Sequence, residues 1–250
     1  MPEKAFNQAK WIWSQASDVY GYNQTVIARR TFYMEPSGRA VMRITADSQY
    51  RLIINDRWVN DGPCRSWPEH YQYDEIDVTT YLRPGENTIQ IIARYWGTGT
   101  FHTVPQQAGI LAELATDNGG AESLVLSTDG NWEAAQAPAW RANTPKISIQ
   151  MEPQEDYDAR LEDALDFAPA RVLFDADDGP WQDLTPRDVK LLTREPTAFV
   201  AFHDANLVRP IDGLNVCLPA ARLEHPMLIE ANHNVTQMSG MGTQLTLEET

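Results

Sequence analysis

Short runs of β-branched and aromatic residues alternate with turn-forming residues over most of the chain. The clearest runs are Val26–Tyr33, Ala40–Thr45, Tyr50–Ile54 and Thr88–Tyr95. Such runs, bounded by Gly, Pro, Asn or Asp, are typical of strands. No long segment repeats its apolar residues with a helical period. The pattern therefore predicts an all-β fold, an antiparallel β-sandwich, rather than a parallel α/β sheet.

Turn residues and weaker periodicities complete this prediction. Asn55 and Asp56 lie between two strand-like runs and have the composition of a tight hairpin turn. Asp117–Gly120 indicates another turn, since it reads Asp-Asn-Gly-Gly. Lys146–Met151 alternates between apolar and polar residues and predicts one more half-buried strand. Asp158–Leu165 predicts one or two helical turns.

The second half of the chain suggests where the first domain ends. Phe167–Pro196 is rich in Asp and Pro, so we predict an ordered strap that Trp181 and Leu184 hold against the sandwich. We assign residues 1–198 to one β-sandwich domain. About fifty residues do not easily build a sandwich alone, so residues 199–250 are interpreted as the opening strands of a second, truncated β-domain.

The net charge of the chain restricts the classes of partner that it is expected to bind. Lys and Arg total 20 and Asp and Glu total 35, which gives a formal charge of −15. This charge repels nucleic acid and anionic membrane surfaces, so neither is expected as a partner.

The first ten residues are polar and no long apolar run follows, which predicts a cytoplasmic protein without a signal peptide. Cys64 and Cys217 are the only cysteines and exclude a disulfide framework.

Aromatic residues are unusually frequent, with eight Trp, nine Tyr and seven Phe. Aromatic cross-strand pairs in a β-rich core account for many of them. Flat rings also stack on the C–H faces of sugars, which makes carbohydrate a candidate ligand.

One loop, residues 63–73, concentrates side chains suited to a sugar site. Aromatic faces, a cation, an imidazole and a carboxylate can together bind a sugar ring and its hydroxyl groups. The candidate contact residues, with one from a neighbouring strand end, are Arg65, Trp67, Glu69, His70, Tyr71, Tyr73 and Trp96. The same residue types favour protein interfaces and cores. Sugar contact, packing against another domain and burial within this domain therefore all stay open.

Acidic residues form two clusters that contain candidate catalytic pairs. The clusters consist of Glu69, Asp74, Glu75 and Asp77, and of Glu152, Glu155, Asp156 and Asp158. An inverting glycosidase needs two such carboxyl groups roughly 6.5–9.5 Å apart. A chain with this many acids forms clusters by composition alone, so we interpret both as solvated rims or turn caps. No catalytic residue is assigned.

The sequence indicates no cofactor and no metal centre. Asp175–Gly179 resembles the start of a calcium loop, but Pro186 stands where an EF-hand needs its bidentate Glu. A structural calcium ion bound by separate loops is left open. The five histidines lack the spacing of a zinc site.

Residues 40–97 carry a family resemblance in the order of their motifs. They contain Tyr-Arg-Leu-Ile-Ile-Asn-Asp, Gly-Pro-Cys-Arg-Ser, Tyr-Gln-Tyr-Asp and Asp-Val-Thr-Thr-Tyr-Leu-Arg-Pro-Gly-Glu-Asn. This order is similar to that in the N-terminal jelly-roll domain of bacterial α-L-rhamnosidases of glycoside hydrolase family 78. Asp56 stands where the family's hairpin has Gly. The likeness extends from Trp11-Ile12-Trp13 through Tyr157–Arg160 to a closing Leu184–Glu195.

The resemblance implies a galactose-binding-like sandwich within a larger enzyme. Family members cleave terminal α-linked L-rhamnose by inversion, with carboxylates in an (α/α)6 barrel that lies downstream. This sequence contains no stretch similar to that barrel. We therefore predict a non-catalytic domain that supports the barrel, with the downstream domains and rhamnose-containing glycans as partners. A free-standing carbohydrate-binding module is the alternative, and a complete small hydrolase is the third.

Overall fold

The computed structural model describes residues 5–35, 38–117, 119–120, 122–193, 195, 197–198, 200–201, 208–210 and 229–231. Fifteen strands run through these residues. In chain order they are β1 Lys10–Trp13, β2 Gln24–Met34, β3 Arg39–Asp47, β4 Gln49–Ile54, β5 Arg57–Gly62, β6 Gln72–Asp77, β7 Gly85–Tyr95, β8 Gly109–Asp117, β9 Glu122–Ser127, β10 Glu133–Gln136, β11 Ala168–Pro169, β12 Arg171–Asp175, β13 Thr185–Pro186, β14 Val208–Pro210 and β15 Ile229–Ala231. Two 3-10 turns, Thr79–Tyr81 and Ala159–Leu161, are the helical elements of the described part.

Strands β1 to β13 form the two sheets of a jelly roll. One sheet has the order β12-β1-β8-β3-β6-β13, with β9 paired to β8, and the other has the order β11-β10-β2-β7-β4-β5. The central orders 1-8-3-6 and 2-7-4-5 are those of a double-sheet jelly roll of eight strands. Every pair in these sheets is antiparallel except β13 with β6. The predicted all-β antiparallel sandwich is confirmed.

The main core lies between the two sheets and follows the alternation of their central strands. In β7, Ile89, Ile91 and Ala93 are buried, and each is separated from the next by a half-buried residue. In β8, Ile110 and Leu114 point to the same interior. Side chains of a strand alternate between faces, so these residues share one side of their sheet.

A second core covers the outer face of the seven-stranded sheet. The residues that precede β1 and those that follow β12 both pack there. Trp11 and Trp181 stack at 3.8 Å between ring centroids and are fully buried. Gly109 allows this stack, since a Cβ there would lie 2.8 Å from Trp11 and 2.9 Å from Trp181. Because β8 is covered on both faces, its residues are buried almost without interruption.

Most of the predicted local structure is confirmed. Asn55 and Asp56 join β4 to β5 with φ values of 50° and 60°. The turn after Asp117 joins β8 to β9, and its Asp117 Oδ1 accepts a hydrogen bond of 2.7 Å from the Gly120 N–H. Trp181 and Leu184 pack as the strap prediction required. The strand predicted over Lys146–Met151 is wrong, because Lys146 forms an isolated bridge and residues 147–151 form bends and turns.

The chain divides into two compact units. One comprises residues 1–144 and 150–189 and contains both sheets of the sandwich, while the other comprises 145–149 and 190–250. In the second unit β14 pairs with β15. Most residues of the predicted second domain, 199–250, lie outside the described part, and the boundary at 198 stays a prediction.

Candidate functional site

The jelly-roll topology gathers the long connections at one end of the sandwich, which we call the loop end. It consists of residues 14–23, 47–48, 63–71, 96–108, 137–144 and 150–157. Hydrogen bonds tie these connections together. Ala108 N–H donates to Val19 O at 2.7 Å, and Phe101 N–H donates to Gln150 O at 3.1 Å. Loops placed on a rigid scaffold in this way are where binding residues concentrate.

The loop 63–71 is held in place by the part of the strap that follows β12. Residues 67–70 form a tight turn, in which the His70 N–H donates to Trp67 O at 3.0 Å. Gln182 then bonds the loop on both sides, donating to Pro68 O at 2.6 Å and accepting from the Tyr71 N–H at 3.0 Å. The His70 Nδ1 atom lies 2.8 Å from Asp183 Oδ2. The loop therefore presents its side chains from a fixed backbone.

The sequence-predicted contact residues divide into an exposed group and a buried group. Arg65, Trp67, Glu69 and His70 are exposed, with Trp67 at 57%. Tyr71 and Tyr73 are buried in the second core. The Tyr71 hydroxyl donates to Ala46 O at 3.1 Å, and the Tyr73 ring packs edge-on against Phe6 at 5.1 Å.

Trp96 lies at the end of β7, at the same end of the sandwich as Trp67, and is half-buried. Its backbone N–H donates to Ser48 Oγ at 3.2 Å, and its carbonyl accepts from the Asn23 N–H at 3.0 Å. The structure thus places Arg65, Trp67, Glu69, His70 and Trp96 at the loop end. The two tyrosines belong to the packing beneath it.

A buried carboxylate underlies this end. Asp47, the last residue of β3, is 1% exposed and accepts hydrogen bonds of 3.0 Å from the Trp181 indole N–H and the Ser48 hydroxyl. Burial raises the pKa of Asp47 to about 6, against the opposing effect of those hydrogen bonds. Nothing in the sequence distinguishes this Asp from a surface residue.

The first acidic cluster separates into different environments. Asp77 accepts from the Thr79 hydroxyl at 2.6 Å and from Arg39 Nε at 2.9 Å, and Glu75 accepts from Arg43 at 3.1 Å. Glu69 is exposed. These contacts and exposures agree with the interpretation as surface rim and turn cap for these three residues.

The interpretation as a solvated rim or turn cap is wrong for Asp74, which is wholly buried between the sheets. Its Oδ2 accepts hydrogen bonds from the Tyr50 hydroxyl and from the Asn60 amide, the latter at 3.3 Å. Arg187 Nε lies 3.0 Å from Asp74 Oδ1, an ion-pair contact that lacks hydrogen-bond alignment. Burial raises the pKa of Asp74, against the Tyr50 hydrogen bond and the Arg187 charge. Asp74 points inward because residues alternate along β6 and Tyr73 faces the outer core.

The second acidic cluster fastens the loops. Glu155 accepts from the Trp140 indole N–H at 2.9 Å, and Asp156 Oδ2 lies 3.5 Å from Arg141. Asp158 caps the 3-10 turn Ala159–Leu161, and its hydrogen bond from Arg160 holds the pKa of Asp158 well below its usual range. These contacts agree with a turn-capping role.

Neither a metal cluster nor a spanning helix is found in the part of the chain that the structure describes. Asp175–Gly179 forms a turn in which the Asp178 N–H donates to Asp175 O at 3.0 Å. Nowhere among the described residues do three or more His, Cys, Asp or Glu side chains converge as metal ligands. Within the same residues, no helix has the length and apolar character needed to cross a bilayer.

The loop end also exposes large apolar side chains. Tyr20 is 66% exposed and Phe101 is 61% exposed, and Val104 and Met151 are exposed as well. The Tyr20 hydroxyl donates to Gln107 Oε1 at 3.1 Å, which holds the ring over the 96–108 connection. Exposed apolar groups gathered on one surface mark an interaction site more often than isolated ones do.

Comparisons with known proteins agree with the predicted resemblance. A family model described as the α-L-rhamnosidase N-terminal domain matches residues 36–191, more than half of the chain. A curated α-L-rhamnosidase of Streptomyces avermitilis is 29% identical over 136 residues, which cover 50% of this chain and 12% of that protein.

Solved structures show the same fold. A glycoside hydrolase family 78 rhamnosidase of Bacillus sp. GL1 matches with a TM-score of 0.70 at 31% identity, over 83% of this chain and 22% of that one. An α-L-rhamnosidase of Aspergillus terreus matches with a TM-score of 0.58 at 21% identity, over 81% of this chain and 24% of that one, a likeness of fold alone. The chain thus spans at most 24% of the length of these relatives. It belongs to the α-L-rhamnosidase N-terminal domain family, and it shares its β-sandwich fold with a region of family 78 rhamnosidases.

Proposed function

We propose that this chain is the non-catalytic N-terminal portion of an α-L-rhamnosidase-like glycoside hydrolase. In this proposal the whole polypeptide hydrolyses terminal α-linked L-rhamnose with carboxylates that lie outside these residues. The contacts of the acidic clusters support a non-catalytic role, since Asp74 is buried and Asp77 and Asp158 cap turns. The family match and the partial coverage of its relatives support a larger enzyme.

In this proposal the domain supports the catalytic part of the enzyme by contacting it with the loop end. The observation that carries this proposal is the exposure of Trp67, Tyr20 and Phe101 on loops whose backbones are fixed by hydrogen bonds. Aromatic side chains on a fixed surface, with Arg65 and His70 beside them, have the composition of a protein interface. The occupant we propose is the remainder of the same polypeptide, in agreement with the small fraction of its relatives that the chain spans.

A turnover assay tests the non-catalytic part of the proposal. The purified 250-residue chain is expected to release p-nitrophenol from p-nitrophenyl α-L-rhamnoside no faster than buffer does. Turnover above background that disappears on Glu69→Gln or Glu155→Gln would contradict the proposal.

Hydrogen–deuterium exchange tests the docking part. Peptides from 63–71 and 96–104 should exchange more slowly in the full natural polypeptide than in the isolated chain. Trp67→Ala should lower the melting temperature of the full polypeptide but not that of the isolated chain. The matched control is Trp58→Ala, an exposed Trp on a sheet face away from the loop end. Equal exchange at the loop end in both proteins would overturn the docking proposal.

A further inference from the structure

The outer face of the six-stranded sheet contains a depression that lies outside the loop end. It encloses about 240 Å³ above β2, β7 and β4. Its floor includes Thr31, Gln90 and Ile53, and Leu165 and Phe167 form a wall where the chain returns toward β11.

Strand register places the floor residues in two adjacent rows across the sheet. Arg29 of β2 is paired with Gln90 of β7, and Gln90 is paired with Ile53 of β4. Thr31 is paired with Thr88 in the adjacent row. Side chains directly opposite each other on one face stand close together, so the row forms a continuous strip.

Trp58 extends the same row to the edge strand β5, because it is paired with Ile53. It is 48% exposed, and its indole N–H donates to Asp61 Oδ1 at 3.1 Å. The Arg51 guanidinium lies 5.3 Å from its ring centroid. The ring is therefore held in one orientation while about half of the side chain faces water.

Two arginines beside this strip are paired with carboxylates, while Arg30, which also lines the depression, donates to the Asn131 carbonyl. Arg29 Nε lies 2.9 Å from Glu133 Oε2, and its guanidinium lies over the Phe167 ring at 3.6 Å. Arg51 Nε lies 2.9 Å from Asp61 Oδ1. An anionic ligand would have to compete with these carboxylates in a chain of net charge −15.

We propose that this strip, from Phe167 across Thr31, Gln90 and Ile53 to Trp58, binds a short neutral oligosaccharide. Hydroxyl and amide groups on the floor match sugar hydroxyls, and Trp58 with Ile53 offers apolar surface to the C–H faces of a ring. A polar floor of this kind differs from the apolar centre of a protein interface. The depression is smaller than a typical drug-sized site, so one or two sugar units fill it and binding is weak. This site lies outside the loop end, and its test does not depend on the docking proposal.

The test is a titration of the ¹⁵N-labelled 250-residue chain followed by NMR. The probes are methyl α-L-rhamnoside, a neutral rhamnose-capped disaccharide and sodium glucuronate, each up to roughly 50 mM because weak affinity is expected. At least one neutral probe should saturably shift the Trp58 indole N–H signal and the Gln90 side-chain amide signals, which the Trp58→Phe and Gln90→Ala spectra assign. Glucuronate should shift neither.

Two variants and one control make the result specific. Trp58→Ala and Gln90→Ala should each weaken binding by about tenfold or more, while Trp67→Ala at the loop end should leave it unchanged. Shifts that follow Trp67 instead would overturn the proposal and place sugar contact at the loop end. An absence of groove shifts with both neutral probes, or an equal response to glucuronate, would also overturn it. Protection of the groove only in the full natural polypeptide would identify a protein-docking face and would contradict the proposal as well.

Discussion

Asp47 and Asp74 are carboxylates buried on opposite faces of the same sheet, and their neighbours differ in charge. Asp47 accepts hydrogen bonds from neutral groups, the Trp181 indole and the Ser48 hydroxyl. Asp74 has the additional positive charge of Arg187. Burial raises both pKa values, but among the residues that the structure describes only Asp74 has a cationic neighbour within ion-pair distance.

Asp47 should make the stability of the fold depend on pH between about 4 and 6. Its pKa is about 6 in the folded chain against an ordinary value of 3.8. In this window the folded state retains a proton that the unfolded chain has released, so the free energy of unfolding falls as pH rises. Asp47→Asn removes this dependence. Its stability relative to the parent chain should increase by up to roughly 3 kcal/mol between pH 4 and pH 7.

Urea unfolding of both proteins at several pH values measures this difference. Asp77→Asn is the control, because hydrogen bonds from Thr79 and Arg39 lower the pKa of Asp77 and give the opposite sign. A constant stability difference between Asp47→Asn and the parent chain would contradict the prediction.

Arg187 should be needed for the burial of Asp74. Arg187→Met leaves a carboxylate without its cation inside the sandwich and should reduce the free energy of unfolding by about 3 kcal/mol. The matched control is Arg39→Met. It breaks a surface pair with Asp77 and should cost at most about 1 kcal/mol. Equal losses, measured by urea unfolding, would show that the Arg187 charge contributes little.

At the scale of single residues, the sequence predicts which face a side chain occupies only where the alternation of a strand indicates it. Alternation in the strand-like run that follows Asp56 could have placed Trp58 on the outer face, opposite to the buried Val59. No such signal distinguished Asp74 from Asp77. Both are acids in one cluster, and only the tertiary fold brings Tyr50 and Arg187 to the first of them.

The hairpin between β4 and β5 shows how two adjacent residues with similar backbone angles differ in their side chains. Asn55 and Asp56 both have positive φ, as a type I′ turn requires. The Asn55 amide donates to Tyr81 O at 2.9 Å and to Asn87 Oδ1 at 2.8 Å, and its oxygen accepts from the Thr88 N–H at 3.0 Å.

Replacement of these residues by Gly should therefore have opposite effects. Asp56→Gly relieves the positive φ and should stabilise the chain by up to about 1 kcal/mol. Asn55→Gly offers the same relief but loses three hydrogen bonds, so it should destabilise the chain by about 1–3 kcal/mol. Thermal and urea unfolding measure both. A loss of stability in Asp56→Gly would contradict the argument from backbone strain.

Elements were predictable where turn chemistry and periodicity agreed, as in this hairpin. The error at Lys146–Met151 shows the limit of periodicity. Its alternating apolar residues, Ile149 and Met151 among them, are exposed, and the sheets formed by the described residues do not include them. Alternation indicates a strand only if a neighbouring strand is available, and that depends on the rest of the fold.

The folding unit of the whole molecule is larger than the segment that matches the family. The match begins at residue 36, after β1 and β2, yet β2 pairs with β7 along its entire length of eleven residues. A chain cut to residues 36–191 exposes the edge of β7 and loses Trp11 from the second core. It should therefore lack a cooperative thermal transition, whereas residues 1–191 should retain one. Comparable melting curves for the two would contradict this prediction.

The two ends of the sandwich domain meet at Tyr73. The Phe6 ring packs on its ring at 5.1 Å, and the Arg187 N–H donates to its carbonyl at 2.8 Å. A domain whose entry and exit lie side by side can be inserted into a surface loop of another protein without separating that loop's ends. The jelly roll thus has the end geometry of a domain that can be inserted into another chain. A linker between its ends would allow a circular permutant to open at the turn between β8 and β9.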